Sequence, residues 1–252
     1  MKKIALSAIV SLGLVGSVMA SDEIDKGVNP LLGFIGAQAD GSATIASDVL
    51  WRGVSQTAEG VGGEIDLVLD VDTNIGNFYV GGDVAGSTSN ASVIYKAGYE
   101  NTWGDSFPVL TIVEYNYNDF QNTAEGGGVD LRAANFQNVL TTLGVNAFGA
   151  NVWVKGEFVV EENDTADYNT EDRFGIGADY TIGETIVGNL ALNAAYSDQE
   201  KWGSNWEVGI SNPITQRLEV GIVYNDFTVD EDTQSGLTED TQTVVGKVTY
   251  LF

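Results

Sequence analysis

Cysteine and histidine are absent from this 252-residue chain, and proline occurs only three times. Without cysteine there is no disulfide framework, no thiolate metal site and no lipid-modified cysteine near the N-terminus. Without histidine the usual general base of hydrolases and the commonest zinc ligand are missing. A Ser-His or His-Asp mechanism is therefore excluded. Cations are scarce as well: 11 Lys+Arg against 36 Asp+Glu leave a formal charge of −25. Such a chain offers phosphates no basic face, so DNA and RNA are excluded as partners. Charged residues make up 19%, below the roughly 25% of soluble domains. Long apolar runs are lacking too. Beyond the first twenty residues the longest is Leu31-Leu32-Gly33-Phe34-Ile35-Gly36-Ala37, far short of the ~20 residues a spanning helix needs. A helical membrane protein is excluded.

What the chain has is glycine and aromatic side chains: 31 Gly, 10 Tyr, 10 Phe and 5 Trp. That mix suits a β-rich chain with many turns. Residues 1–20 read as a secretory signal peptide, with Lys2 and Lys3 as the basic region, an apolar core, and Val18-Met19-Ala20 as the cleavage site. An exported chain without spanning helices reaches a membrane interior only as a closed barrel, in which each backbone group pairs with a neighbouring strand.

Period-2 alternation marks twelve segments, near 43–52, 64–72, 77–85, 92–100, 109–118, 138–148, 151–160, 172–181, 189–197, 204–211, 217–225 and 243–252. Ile65, Leu67, Leu69 and Val71 alternate with Glu64, Asp66, Val68 and Asp70; Leu218, Val220, Ile222 and Tyr224 alternate with Glu219, Gly221, Val223 and Asn225. The apolar face would meet lipid and the other the lumen. A soluble sandwich or lipocalin-like barrel also alternates, but the connections argue against it. Those after odd-numbered segments include the long stretches 118–137, 161–171 and 226–242. Those after even-numbered segments are the short stretches 73–76, 101–108, 149–150, 182–188 and 212–216. Short turns on one side and long loops on the other are the pattern of outer-membrane barrels. The expected fold is all-β, a closed antiparallel transmembrane barrel of about twelve strands over residues 42–252. Residues 21–41 are expected as an N-terminal periplasmic or plug segment, within which Pro30 to Ala39 reads as a short plug, a periplasmic helix or a further strand. Trp51, Tyr99, Tyr115, Tyr117, Tyr180, Tyr196, Trp206, Tyr224 and Tyr250 fall towards strand ends, where amphipathic rings sit at the headgroup level. The last strand stops on Phe252, as do strands recognised by the bacterial outer-membrane assembly machinery.

Following the alternation inward, the ionisable lumen residues are Asp48, Arg52, Glu64, Asp66, Asp70, Asp83, Lys96, Glu100, Glu114, Lys155, Glu157, Arg173, Asp179, Glu207, Glu219 and Lys247. Buried charges need pairing or water, so these either zip the lumen shut or line a narrow, wet, cation-preferring path. Arg52 is the expected clasp for Asp48 on the same face. Outside the lumen, Glu161, Glu162 and Asp164 in one long loop and Asp230, Glu231 and Asp232 in another are candidates for a divalent cation, since hard cations take oxygen ligands. A solvated, self-repelling loop explains the same residues, and no spacing matches a calcium loop. Gly60-Val61-Gly62-Gly63 and Gly126-Gly127-Gly128 lack the Lys of a phosphate loop; no cofactor is expected. Among 36 acids close carboxylate pairs arise by chance, so none argues for an enzyme.

The segment Ala46-Ser47-Asp48-Val49-Leu50-Trp51-Arg52-Gly53-Val54-Ser55-Gln56-Thr57 resembles the opening strand of the TorF-type porins of proteobacteria. Glu64-Ile65-Asp66 and Asn77-Phe78-Tyr79-Val80-Gly81-Gly82 are similar to the family's next two strands. Two departures stand out: Val49 replaces the family's aromatic, and Ala58-Glu59-Gly60-Val61-Gly62-Gly63 stands where the family has a proline. The resemblance implies an outer-membrane barrel and leaves the solute open. The resulting expectation is a narrow diffusion channel for small polar or cationic solutes in a Gram-negative outer membrane. Its partners would be membrane lipid, lipopolysaccharide and the assembly machinery. The rival is a closed surface barrel whose acidic loops bind divalent cations, lipopolysaccharide or a partner.

Overall fold

The computed structural model describes residues 37–51, 54–55, 60–86, 90–104, 108–122, 135–162, 172–185, 188–200, 202–230 and 240–252. Among them are fourteen strands: β1 (Ala37–Ala46), β2 (Leu50–Trp51), β3 (Val54–Ser55), β4 (Gly62–Thr73), β5 (Gly76–Gly86), β6 (Asn90–Trp103), β7 (Val109–Asn122), β8 (Asn135–Ala147), β9 (Ala150–Glu162), β10 (Arg173–Thr185), β11 (Gly188–Gln199), β12 (Gly203–Pro213), β13 (Leu218–Val229) and β14 (Thr241–Leu251). Twelve of these pair in sequence order, antiparallel throughout, and β14 returns to β1 to close the barrel. Closure leaves the wall without an open edge, which is what a bilayer interior demands.

The outward face follows from the sequence alternation. Leu67, Val80, Val154, Val208 and Ile222 stand exposed on it, an apolar band that would be a liability in water and is native in lipid. Aromatic side chains edge the band. Tyr95 and Tyr117, Phe158 and Phe174, and Trp206 and Tyr224 pair across strands towards the long-loop end. Phe78 with Tyr99 does so towards the short-turn end, where Tyr250 and Phe252 stack along the C-terminal strand. The turn between β8 and β9 is Phe148-Gly149 with both residues at positive φ, 54° and 85°, the two-residue geometry that matches strand twist. Phe148 projects from it fully exposed.

The first strand departs from expectation. Alternation placed it at 43–52, whereas β1 ends at Ala46. Ser47 terminates it: its backbone N–H donates to Gly246 O, and its Oγ accepts from Gly246 N. Of the outward residues of the real strand, Ala37, Ala39, Gly41 and Ala43 are too small to signal an apolar face and only Ile45 is large, and Leu50-Trp51 imitated one. Leu50-Trp51 instead pairs with Val54-Ser55 in a separate two-stranded hairpin within the first long connection. Residues 37–41 thus belong to the barrel wall rather than to a periplasmic or plug segment. Residues 1–36, among them the expected signal peptide, lie outside the described residues.

Closure depends on the C-terminal strand. Gly41 and Phe252 exchange two backbone hydrogen bonds of 3.0 Å, and Thr44 Oγ1 meets Thr249 Oγ1 at 2.9 Å. A Cβ on Gly41 would lie 2.5 Å from the Phe252 ring and 2.8 Å from Leu67 Cδ2, so only glycine lets that ring lie against the seam. The long connections are also shorter than expected. β7 runs on to Asn122 and β8 starts at Asn135; β13 continues to Val229. Polar ladders such as Gln137 Nε2 to Glu161 Oε2 at 2.9 Å carry the strands past the aromatic band.

Candidate functional site

The interior of the barrel is the candidate site, because the alternation that turns apolar residues to lipid turns polar ones inward. Asp66, Asp83, Glu114, Glu157, Arg173, Glu207 and Glu219 are buried within the barrel, and Asp70, Lys96, Lys155, Asp179 and Lys247 are half-buried on the same inner face. Asp48 is buried as well, but on the segment after β1 rather than on a strand face. Asp48 and Arg52 therefore do not share the strand face expected of them, and Arg52 itself lies outside the described residues. Of the acidic-loop candidates, Glu161 ends β9 exposed and Glu162 is the last residue of that strand, while Asp230 is exposed after β13. Asp164, Glu231 and Asp232 lie outside the described residues. Among the described residues no group of three or more carboxylates is arranged to hold a metal.

Inside, some of the carboxylates meet a cation or a neutral donor. Lys96 Nζ lies 2.6 Å from Asp66 Oδ1, with both side chains nearly inaccessible. Arg173, Lys247 and Lys155 are the cations acting on Glu207. Glu114 accepts from Tyr79 Oη at 2.8 Å and from Asn116 Nδ2 at 2.9 Å. Each contact gives a buried carboxylate the donors it lost on leaving water.

Towards the long-loop end an amide and hydroxyl belt crosses seven strands. Asn118 Nδ2 donates to Asn138 Oδ1 at 2.7 Å, and Asn138 Nδ2 donates to Glu157 Oε1 at 2.7 Å. Arg173 Nη2 donates to Ser197 Oγ at 2.6 Å and to Asn205 Oδ1 at 3.3 Å. Ser197 Oγ also donates to Asn205 Oδ1, and Asn205 Nδ2 donates to Asn225 Oδ1 at 3.2 Å. Beside this belt sit Trp202 at 0%, Phe136 at 1% and Phe227 at 1% exposure. Trp202 belongs to the β11–β12 connection and is held by Trp202 N to Gln199 O at 3.1 Å and Asp230 N to Trp202 O at 3.1 Å. The long-loop half of the interior is thus packed, with large rings among polar groups. At the short-turn half the inward residues Asp70, Asn77, Tyr79, Glu100, Trp153 and Asp179 keep partial exposure.

Reasoning from charged residues alone misses this belt and the two interior rings, Tyr79 and Trp153. Both follow from the same parity once uncharged polar residues are carried along with the ionisable ones. Trp202 has no such signal, since it lies in a connection and is placed by packing.

No family model matches the chain, and no curated protein matches it. Solved structures do. The outer-membrane phospholipase of Salmonella typhi, solved as a dimer with bound calcium, shares 13% identity over 84% of this chain and 90% of its own, with a TM-score of 0.54. The outer-membrane phospholipase A of Escherichia coli shares 14% over 84% and 91%, with a TM-score of 0.51. The COG4313 outer-membrane channel of Pseudomonas putida F1 shares 10% over 91% and all of its own chain, with a TM-score of 0.56. An enzyme and a channel share this architecture, so the likeness is one of fold. With its closed wall and apolar, aromatic-edged outer face, the chain is a β-barrel of the Gram-negative outer membrane.

Proposed function

We propose that the barrel is a narrow, non-enzymatic channel for passive diffusion of small polar or cationic solutes. The observation that carries this reading is the charge of the inner wall. Asp40, Glu64, Asp66, Asp70, Asp83, Glu100, Glu114, Glu157, Asp179, Glu207 and Glu219 face inward from the strands, with Asp72 on the same parity at the end of β4, against Lys96, Lys155, Arg173 and Lys247, twelve acids to four bases. An excess of that size in a dry interior is costly, whereas a hydrated lumen tolerates it and concentrates cations. The half-exposed acids at the short-turn end support a wet mouth there. Lipid and lipopolysaccharide would contact the outer face, the assembly machinery would engage the strand ending at Phe252, and small solutes would pass within. The resemblance to TorF-type porins accords with this reading.

The buried Trp202, Phe136 and Phe227 favour the second reading, a closed surface barrel whose acidic loops bind divalent cations, lipopolysaccharide or a partner. Single-channel recording of the refolded protein under a salt gradient separates the two. Discrete steps with a cation-selective reversal potential are expected, and Lys155→Glu should increase that selectivity. A folded, heat-modifiable barrel that never conducts would establish the closed reading. Anion selectivity would overturn the assignment of acids to the path.

A further inference from the structure

We propose that the short-turn half of the lumen holds a binding site for a neutral hydroxylated solute, a mono- or disaccharide, built from Trp153, Asp179, Asn193 and Ser211. The proposal names a solute class for the channel described above and relies on that reading for the route of entry.

The four residues come from adjacent strands, β9 to β12, and all face inward. Trp153 lies across β10. A Cβ placed on Gly177 would fall within its indole, and one on Gly175 would meet Cζ3 at 3.8 Å. Gly177 thus gives the ring a flat floor that a side chain would destroy, and Gly175 lies in ordinary contact at its edge. Trp153 Nε1 donates to Asp179 Oδ2 at 3.0 Å, which fixes the ring in its plane. One face rests on the wall, and the ring remains half-exposed on the other.

Asp179 pairs directly with Asn193 across β10 and β11. Asn193 pairs in turn with Gly209, two residues from Ser211 on β12. Asn193 is 7% exposed and Ser211 2%, yet among the described residues Asn193 Oδ1 and Ser211 Oγ find no hydrogen-bond partner. Buried polar atoms are nearly always partnered, and leaving one unpaired costs about 1–3 kcal/mol. Two such atoms on neighbouring strands, beside a carboxylate and a flat ring, are the complement of a sugar. A sugar has an apolar C–H face to lie on an indole and hydroxyls that both donate and accept. Asp179 accepts, Asn193 accepts and donates, and Ser211 does either.

The test uses the full chain refolded in detergent and in planar bilayers, with D-glucose and sucrose as probes and choline as the cationic control. Either sugar is expected to reduce the single-channel ion current and to change the tryptophan fluorescence of the detergent-held barrel, both saturably. Asn193→Ala and Ser211→Ala, checked for folding by heat-modifiable migration, should each raise the half-saturating concentration roughly three- to tenfold, the loss of one hydrogen bond. Trp153→Phe should abolish the fluorescence response. No saturable response to either sugar from a folded barrel overturns the site, as does a response to choline alone. A saturable fluorescence response from a barrel that never conducts sustains the site and overturns the channel.

Discussion

At the scale of single residues, some of the buried carboxylates rest on local pairing. Asp66 is 1% exposed and Lys96 Nζ is 2.6 Å away. Lys96→Met leaves that carboxylate buried without its cation, and a loss of about 3–5 kcal/mol is expected, the usual cost of breaking a buried pair from one side. Denaturant titration of the detergent-refolded barrel measures it. The double variant Lys96→Met/Asp66→Leu should recover most of the loss; equal stability of Lys96→Met and the native chain would show that the pair contributes nothing. These inward charges were legible in the sequence because a pleated strand alternates its side chains strictly, so one apolar neighbour assigns the face of the next residue. Asp48 was placed on that strand's inner face by the same rule, and it lies beyond the strand: parity holds only while the strand continues, and β1 stops at Ala46.

At the scale of elements, small residues carry information that hydrophobicity does not. On the outward face of β1, Gly41 leaves room for the Phe252 ring at the seam where β14 pairs with β1. Gly41→Val should prevent that approach and lower the yield of heat-modifiable barrel, with a destabilisation of about 1–3 kcal/mol for overpacking. The same substitution at Gly246, where a Cβ would meet no atom within 4 Å, serves as the control and should fold in far higher yield. The β11–β12 connection makes a second case. Trp202 is wholly buried there, hydrogen-bonded between β11 and the end of β13. On the channel reading it narrows the path, so Trp202→Ala should raise single-channel conductance; a conductance equal to that of the native channel would remove Trp202 from the path. No periodic pattern announces such a residue, because a short connection has no parity.

At the scale of the whole molecule, the charge imbalance of the inner wall governs which ions enter. Carboxylates lose their charge as pH falls through their usual range near 4, while Lys and Arg keep theirs. Cation selectivity should therefore decline steadily between about pH 7 and pH 4, read as a reversal potential moving towards zero under a fixed salt gradient. A pH-independent reversal potential would mean that the inward acids do not face the conducting path.

The sequence by itself determined that this chain is an antiparallel barrel for a membrane. The absence of apolar runs, the period-2 alternation and the lopsided connections are local properties, and each strand writes its own faces into the order of its residues. The charged inner wall followed from the same rule. Tertiary structure alone decided the rest: where β1 begins, that Thr44 meets Thr249 to close the wall, that Trp153 lies on Gly177, and that Trp202 fills the long-loop half. These depend on register between residues far apart in the chain. Register is set by the joint packing of neighbouring strands, which no single strand encodes.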